Sequence, residues 1–325
     1  MTDKIVVGVD LGGTIVRAGA FDAQGTMLAA RETPIEAARG PEAGLRKMQG
    51  LIEQVSAESK AKSLVGIGIG ASGPVDPIRG TINNPFTLPT WEDVRVVDWM
   101  IKAFDVPITL ENDADVAALG EYWKGAGQSV QRLYAITLGT GIGTALILDG
   151  EIYRGVDGSH PDGGHHLIDP LGPPCYCGLH GCWESLASGT AIAREARQRL
   201  KDFPESSLWL NSGGDESRID AQMVTDAARQ GDPLATSVMG KISHYFGLGL
   251  ANIVLLFTPD MIVLGGSVMK SVDLFLPAIK NTVQEIDVMV PASRILIVPA
   301  KLGNLAGMYG AAYTVIKKWN AGVMN

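Results

Sequence analysis

Apolar runs near the N-terminus alternate with glycine turns, a pattern typical of strands joined by tight turns. Residues 5–22 (IVVGVDLGGTIVRAGAFD) predict an apolar strand, a glycine turn and a second apolar strand that ends at an aspartate. Residues 132–149 (RLYAITLGTGIGTALILD) repeat this pattern 127 positions later, so that Gly12 corresponds to Gly139. Unrelated β-hairpins also resemble one another, but spacing shared over 18 positions indicates a duplicated domain.

The rest of the chain alternates between helical and strand periodicity, which predicts helices that cover each sheet. Helical spacing predicts helices over residues 41–59, 94–104, 113–124, 188–200, 221–230, 232–256, 267–286 and 305–318. Short apolar runs predict strands over residues 64–70, 106–110, 261–264 and 294–299. Three strands followed by helix–strand–helix units, twice over, predict an α/β fold.

Length and composition fit two globular domains. A chain of 325 residues exceeds what one compact core usually serves, and 46% hydrophobic with 19% charged residues is an ordinary globular composition. The net charge of −8 and the 6% aromatic content argue against a nucleic-acid partner, which would require a basic face or stacking rings.

The hydrophobic pattern also argues against membrane insertion or export. No apolar run reaches about 18 residues without a charge, the length expected of a spanning helix. The N-terminal MTDKIVVGVDLGG is too short in its apolar part and too rich in glycine for a signal peptide. We therefore expect a cytoplasmic protein with no membrane partner, whose three cysteines stay unpaired in a reducing compartment.

Two glycine turns carry groups that suit the phosphates of a nucleotide. Residues 10–14 (DLGGT) place two glycines between strands, where backbone N–H groups approach an anion without an intervening Cβ. Thr14 adds a hydroxyl, and Asp10 adds a carboxylate that suits hydrated Mg²⁺. Residues 138–144 (LGTGIGT) offer the same chemistry, but they join two strands and open no helix, which excludes a dinucleotide-binding fingerprint. Each turn alone also fits an ordinary hairpin.

Two further segments suit nucleotide binding and proton transfer. Residues 263–268 (VLGGSV) place a glycine pair between a strand and a helix, where an adenosine can approach the backbone, although such junctions are common. Residues 111–115 (ENDAD) end a strand and begin an alanine-rich helix, so Asn112 or Asp113 fits a helix cap. Alternatively, Asp113 at the strand end accepts the proton of an attacking hydroxyl in phosphoryl transfer.

Residues 160–185 contain all three cysteines and four of the five histidines. Cys175, Cys177 and Cys182 supply three thiolates, and tetrahedral Zn²⁺ requires four nitrogen or sulfur ligands. Spacing alone leaves four candidates for the fourth ligand: His160, His165, His166 and His180. Ordinary buried cysteines are the alternative. Four protein ligands leave no open coordination position, so we expect a structural metal rather than a catalytic one.

Five motifs together resemble the ROK family of sugar kinases, in its glucokinase-like, zinc-containing branch, within the actin-like ATPase superfamily. In family order they are GVDLGGT, ENDADVAALGE, LGTGIGT, GPPCYCGLHGCWESLASG and VLGGSV, and CxCGxxGCxE is the most specific pattern among them. The resemblance covers almost the whole chain. It implies an α/β fold with two actin-like (ribonuclease-H-like) domains and a central cleft. The smaller domain is expected over residues 1–117, completed by a C-terminal helix at about 303–325, and the larger over 118–302 with a zinc loop at 160–184.

The resemblance implies ATP-dependent phosphorylation of a hexose at its 6-hydroxyl, with glucose as the first expectation. It implies Asp113 as catalytic base and His165 as the fourth zinc ligand. The positions implied for phosphate, Mg²⁺ and adenosine are Asp10, Gly12, Gly13, Thr14, Thr140, Gly141, Gly265 and Gly266. The positions implied for the sugar are Gly73, Asn112, Asp113, Asp162, His165 and Glu184. Expected ligands are therefore ATP, Mg²⁺, a hexose and structural Zn²⁺, and a homodimer or homotetramer is implied by the resemblance alone.

Two departures from the family pattern concern the sugar. Asp162 stands where the family has a glutamate, within HPDGGH, which also resembles the fructokinase branch. Thr87 stands where relatives often have a sugar-binding asparagine, and Asn84 is a candidate replacement. N-acetylglucosamine or N-acetylmannosamine, fructose, and a rarer hexose such as allose are therefore alternative substrates.

Two function classes other than a kinase fit the motifs less well. In a sugar-responsive repressor a DNA-binding helix-turn-helix precedes the kinase-like part, and here Asp10 lies too near the N-terminus for one. Asp113 and the zinc loop argue against a non-catalytic sugar sensor or a filament-forming actin-like protein.

Overall fold

The computed structural model describes residues 4–61 and 63–322. The strands are β1 (Lys4–Leu11), β2 (Ile15–Phe21), β3 (Met27–Pro34), β4 (Ser63–Ala71), β5 (Val75–Asp76), β6 (Thr81–Ile82), β7 (Val94–Arg95), β8 (Ile108–Asn112), β9 (Arg132–Leu138), β10 (Ile142–Leu148), β11 (Glu151–Ile152), β12 (Met261–Gly265) and β13 (Leu296–Pro299). The α-helices are α1 (Pro41–Glu58), α2 (Val96–Phe104), α3 (Asp113–Lys124), α4 (Trp183–Ala187), α5 (Gly189–Arg199), α6 (Ser207–Asn211), α7 (Ala221–Arg229), α8 (Pro233–Phe257), α9 (Leu276–Ile286) and α10 (Ala306–Asn320).

Two five-stranded sheets share one strand order. The first runs β3-β2-β1-β4-β8 and the second β11-β10-β9-β12-β13. In the first sheet β1 pairs antiparallel with β2 and parallel with β4, and β4 continues parallel to β8. The same order in both sheets confirms the duplication predicted from the hairpins. A small sheet of order β5-β6-β7 was not predicted, because strands of two residues carry no periodicity.

Strand β1 forms the centre of the first sheet because its side chains are apolar on both faces. Val6, Val7 and Val9 are fully buried, as expected of a strand covered by helices on both sides. On one face α10 approaches closely, because Gly8 and Gly68 lack the Cβ that would overlap the α10 backbone. This packing fixes the carboxyl end of β1, where Asp10 lies.

The helix predicted over residues 267–286 is wrong in its first part. Residues Val268–Leu274 form a 3₁₀ helix, and α9 begins at Leu276 with Pro277 in its first turn. Proline has no N–H for the preceding turn, so an α-helix cannot continue through it. Helices α4 and α6 were not predicted, since five residues are too few for helical spacing to be recognised.

Contacts divide the chain into two compact units. The first comprises the described parts of Met1–Ala135, Ala145–Pro161 and Ala300–Asn325, and the second comprises Ile136–Thr144 and Asp162–Pro299. The division passes within β9 and β10. The domain boundaries at 117/118 and 302/303 stay a prediction.

Helix α8 is long and apolar enough to cross a membrane by length and composition alone, within the part of the chain that the structure describes. Of its most apolar window, 44% is buried inside the protein. The core helices of soluble proteins share these properties, so this is weak evidence for a membrane span.

Candidate active site

Asp113 is the first residue of α3 and follows directly on β8. Its Oδ1 accepts the Ala114 N–H at 2.8 Å, and its Oδ2 accepts the Ser72 hydroxyl at 2.8 Å. Asn112 caps the same helix, since its Oδ1 also accepts the Ala114 N–H at 2.8 Å. Asn112 is therefore the N-cap residue of α3. The Asp113 carboxylate lies at the carboxyl end of a parallel strand, where ligands of α/β proteins bind.

Two carboxylates of the first unit influence each other. Burial raises the pKa of Asp113 above its usual value, against the lowering effect of the hydrogen bonds from Ser72 and Ala114. Burial, followed by the negative charge of Asp113, raises the pKa of Asp10 to about 6, against the lowering effect of Arg17. Two partly buried carboxylates this close favour a bound divalent cation, and their oxygen atoms are the ligands that Mg²⁺ prefers.

Arg17 was not singled out in the sequence, although hairpin register would have found it. It lies directly opposite Asp10 in the β1–β2 pairing. Its Nη1 lies 3.5 Å from Asp10 Oδ2, and its Nε donates to Glu32 at 2.8 Å. The positive charge of Arg17 thus opposes the rise in the pKa of Asp10 that burial causes.

The first glycine turn forms the predicted hairpin. The Gly12 N–H donates to the Ile15 carbonyl at 3.0 Å, and Thr14 is exposed. A Cβ on Gly13 would lie 2.7 Å from the Thr87 carbonyl oxygen, and one on Gly73 would lie 2.7 Å from Asn112 Nδ2. Gly13 thus permits a close approach of the Thr87 backbone, and Gly73 leaves room for the Asn112 side-chain amide.

Asn84, the candidate replacement for a sugar-binding asparagine, is buried and hydrogen-bonded within its own loop. It is 1% exposed. Its Nδ2 donates to the Ser72 carbonyl and to Thr87 Oγ1, and its Oδ1 accepts the N–H groups of Phe86 and Thr87. With every polar atom engaged, Asn84 holds the loop that carries Thr87 and has no group left for a ligand.

His160 lies beside Asp115 in the first unit and is not one of the four residues of the metal cluster. Its Nδ1 lies 3.0 Å from Oδ1 of Asp115, a carboxylate that is 1% exposed. Arg154 lies 3.9 Å from the other Asp115 oxygen and also hydrogen-bonds Glu111. Burial raises the pKa of Asp113, and a protonated His160 opposes this rise through its positive charge.

In the second unit, the glycine turn at 139–141 contacts Glu184. The Glu184 carboxylate accepts the Ile142 N–H at 2.8 Å, and a side chain at Gly141 would overlap that carboxylate. Thr140 is exposed, and its carbonyl accepts the Thr190 hydroxyl at 2.8 Å. The turn is therefore tied to α4, which carries Glu184, and to α5.

The second glycine pair lies next to this turn. Gly266 has φ +92°, and a Cβ there would overlap the Leu138 backbone. A Cβ on Gly139 would lie 3.7 Å from the Ser267 hydroxyl oxygen. The structure thus brings together the predicted phosphate positions, Thr140 and Gly141, and the predicted adenosine positions, Gly265 and Gly266.

The four predicted metal ligands form one cluster. His165, Cys175, Cys177 and Cys182 each place a ligand atom within 4.8 Å of the others. Cys175 Sγ lies 3.4 Å from His165 Nδ1, and Cys177 Sγ lies 3.5 Å from Cys182 Sγ. Zinc–sulfur bonds of about 2.3 Å and zinc–nitrogen bonds of about 2.0 Å in a tetrahedron separate ligands by about 3.5–3.8 Å. The cluster therefore fits Zn²⁺, and it leaves no open position.

The outer nitrogen of His165 faces polar side chains. Its Nε2 lies 3.0 Å from the Tyr176 hydroxyl and 3.6 Å from Asp162 Oδ2. The Asp162 side chain is 54% exposed. Nothing in the sequence pointed to Tyr176, because its position between two cysteine ligands reveals no direction for its side chain.

Known proteins resemble the chain over nearly its whole length. The ROK family matches residues 6–318. A glucokinase of Halalkalibacterium halodurans is 35% identical over 99% of this chain and 98% of its own length. A ROK hexokinase structure from Thermus thermophilus has a TM-score of 0.81 at 32% identity, covering 97% of this chain and 99% of that one. A ROK glucokinase of Streptomyces griseus, solved with glucose and AMPPNP, has a TM-score of 0.79 at 33% identity, covering 95% and 98%.

These similarities confirm the predicted α/β class and actin-like fold. They agree with the five motifs and with the repeated strand order. The chain is a member of the ROK family.

Proposed function

We propose that the protein transfers the γ-phosphoryl group of ATP to the 6-hydroxyl of glucose. The observation that carries the proposal is the Asp113 carboxylate, fixed by Ser72 at the end of β8 and electrostatically linked to Asp10. The full-length similarity to glucokinases and to a ROK hexokinase supports ATP and a hexose as substrates.

Asp113 acts as general base. A sugar hydroxyl attacks phosphorus only as its proton is removed, and a carboxylate with a raised pKa accepts that proton more readily. Ser72 and the Ala114 N–H orient the carboxylate, and their hydrogen bonds favour its ionised form against the effect of burial. The remaining acceleration comes from alignment of the reactants and from charge neutralisation.

Asp10 would hold a hydrated Mg²⁺, and the metal would supply positive charge that neutralises the transferred phosphoryl group. Gly12, Gly13 and Thr14 offer backbone and hydroxyl donors to the phosphates. In the second unit Thr140 and Gly141 do the same, and Gly265 and Gly266 admit the adenosine.

The sugar is bound by six residues in this proposal: Gly73, Asn112, Asp113, Asp162, His165 and Glu184. Glucose is the first choice, because glucokinases are similar over the whole chain. Asp162, shorter than the family's glutamate, leaves N-acetylhexosamines, fructose and allose as alternatives to be tested alongside. The zinc cluster, when loaded, fixes His165 from its Nδ1 side and takes no part in the transfer.

The proposal is tested with Asp113→Asn and a matched control, Asp105→Asn, which changes an exposed aspartate at the end of α2. We expect kcat with glucose to fall by about a hundred- to ten-thousand-fold in Asp113→Asn. The activity of the control should stay unchanged, and glucose binding by Asp113→Asn, measured by calorimetry, should weaken far less than kcat falls, because the other five proposed sugar-binding residues remain. Equal turnover by Asp113→Asn and wild type would refute Asp113 as the base.

We also propose that the protein is cytoplasmic, that its domain boundaries lie at 117/118 and 302/303, and that it forms a homodimer or homotetramer. The cytoplasmic location is supported by the three cysteines, which all lie among the described residues and carry free thiols, as a reducing compartment allows. Helix α8 exposes Leu248, Leu255 and Leu256, with Leu256 75% exposed, which supports association. Light scattering of the purified protein tests the oligomeric state, and a monomer at micromolar concentration would refute it.

A further inference from the structure

Tyr176 holds an unusual position in the second unit. Its hydroxyl lies 3.0 Å from His165 Nε2 and is hydrogen-bonded to the Glu184 carboxylate. Its ring meets the imidazole edge-on, with centroids 5.0 Å apart and an angle of 88°. The residue is nevertheless 66% exposed. The hydroxyl is thus held by two polar partners, while most of the ring is in water.

The two partners together satisfy one hydroxyl group. The Nδ1 of His165 faces Cys175 Sγ at 3.4 Å, so the ring proton belongs on Nε2, which donates to the phenol oxygen. The Glu184 carboxylate accepts the hydroxyl proton. Asp162 Oδ2, 3.6 Å from the same nitrogen, borders this pair. A donor and an acceptor set for one hydroxyl form the arrangement that a sugar hydroxyl requires.

We propose that Tyr176 determines sugar affinity and specificity by placing its hydroxyl in the pair formed by His165 and Glu184, and that it yields this position to a sugar hydroxyl. The proposal rests on the proposed function, which takes His165 and Glu184 as sugar-binding residues. If the Tyr176 ring moves away, little apolar surface becomes newly exposed to water, because the ring is already mostly exposed. The sugar must, however, replace the hydrogen bonds that Tyr176 gives up.

Removal of the Tyr176 hydroxyl should therefore strengthen sugar binding. In Tyr176→Phe the ring remains, but no hydroxyl competes for His165 and Glu184. A neutral hydrogen bond contributes a modest net free energy, so we expect the Kd for glucose to fall by about two- to tenfold. If Tyr176 instead stayed in place and contacted the sugar, the same substitution would raise the Kd.

The specificity part of the proposal has its own signature. Binding of deoxyglucoses that each lack one hydroxyl, at carbon 1, 2, 3, 4 or 6, is measured for wild type and for Tyr176→Phe. The sugar that lacks the hydroxyl that displaces Tyr176 should bind no more tightly to Tyr176→Phe than to wild type, while the others gain affinity as glucose does. Equal gains for all five sugars would contradict displacement by a particular hydroxyl.

The decisive experiment is calorimetry of glucose binding without nucleotide, with the KM for glucose and the zinc content measured on the same samples. The control is Tyr153→Phe, an exposed tyrosine of the first unit. The proposal predicts a lower Kd in Tyr176→Phe and a KM for glucose lowered by a similar factor, with zinc content and the control unchanged. An unchanged or higher Kd, or loss of zinc from Tyr176→Phe, would overturn the proposal for Tyr176. The proposed function would still stand in that case, provided that the wild-type protein phosphorylates glucose. If wild type neither binds nor phosphorylates any hexose, both proposals fail.

Discussion

The negative charge of Asp10 destabilises the folded protein. Removing that charge should therefore stabilise the fold, and it should also abolish function. The Asp10 side chain is 19% exposed. Burial and the charge of Asp113 raise its pKa from 3.8 to about 6. A shift of about two units corresponds to roughly 3 kcal/mol at 1.36 kcal/mol per unit. Asp10→Asn keeps the shape and removes the charge, so it should raise the free energy of unfolding by up to about 3 kcal/mol at pH 7.5.

The effect should depend on pH in a defined direction. A carboxyl group with a raised pKa binds its proton more tightly in the folded state, so wild type loses stability as pH rises from about 4 to about 6. The advantage of Asp10→Asn should therefore be full above pH 6.5, decline below pH 6 and vanish near pH 4. The loss of the ion pair with Arg17 is already included in the expected gain in stability, because the pKa of about 6 is the net result of burial, the charge of Asp113 and the opposing effect of Arg17.

Urea denaturation between pH 4.5 and 8, without Mg²⁺ or nucleotide, measures this difference. Asp105→Asn, the exposed control, should match wild type at every pH. Phosphoryl transfer by Asp10→Asn should be lost, since the amide no longer attracts the metal. A destabilised Asp10→Asn at pH 7.5, or a gain that does not change with pH, would refute the conclusion that the fold holds Asp10 at a cost.

Three further predictions concern charge, metal and packing. Arg17→Met should raise the pKa of Asp10 above about 6 and move the acid limb of kcat/KM to higher pH, whereas Arg17→Lys should leave the profile near that of wild type; identical profiles for all three proteins would contradict this. Cys177→Ser should lose zinc and glucose affinity together, because His165 serves both, and normal binding by zinc-free protein would separate the two roles. Glu121→Gln should cost about 1–3 kcal/mol of unfolding free energy in urea, because the buried carboxylate accepts the N–H groups of Ala126, Lys301 and Leu302; a cost no larger than that of the exposed Glu151→Gln would contradict it.

Hydrophobic periodicity was sufficient to predict the two sheets and most helices, because each element buries a face over many residues. It failed where elements are short, as in α4, or where one residue interrupts a pattern, as Pro277 does in the first turn of α9. These features depend on local backbone chemistry and on tertiary contacts, which periodicity does not record.

The candidate site was predictable where residue chemistry is distinctive. The cysteine cluster and Asp113 follow from motif spacing, and the structure brings the four ligands together as expected. Ser72 was missed because it lies 41 residues from Asp113 in the chain, and Arg17 because its role depends on strand register. Tyr176 required coordinates, since only the path of the loop directs its hydroxyl to His165.

The central claim, ATP-dependent phosphorylation of glucose with Asp113 as base, is tested most directly by product analysis. Wild-type protein is incubated with ATP, Mg²⁺ and a panel of hexoses that includes fructose, allose and the N-acetylhexosamines, and the products are identified by ³¹P NMR. The account predicts glucose 6-phosphate with one ADP formed per glucose, and product formation by Asp113→Asn that is slower by about a hundred- to ten-thousand-fold. A phosphate at another hydroxyl, a clear preference for another hexose, or ADP release that does not depend on sugar would contradict it.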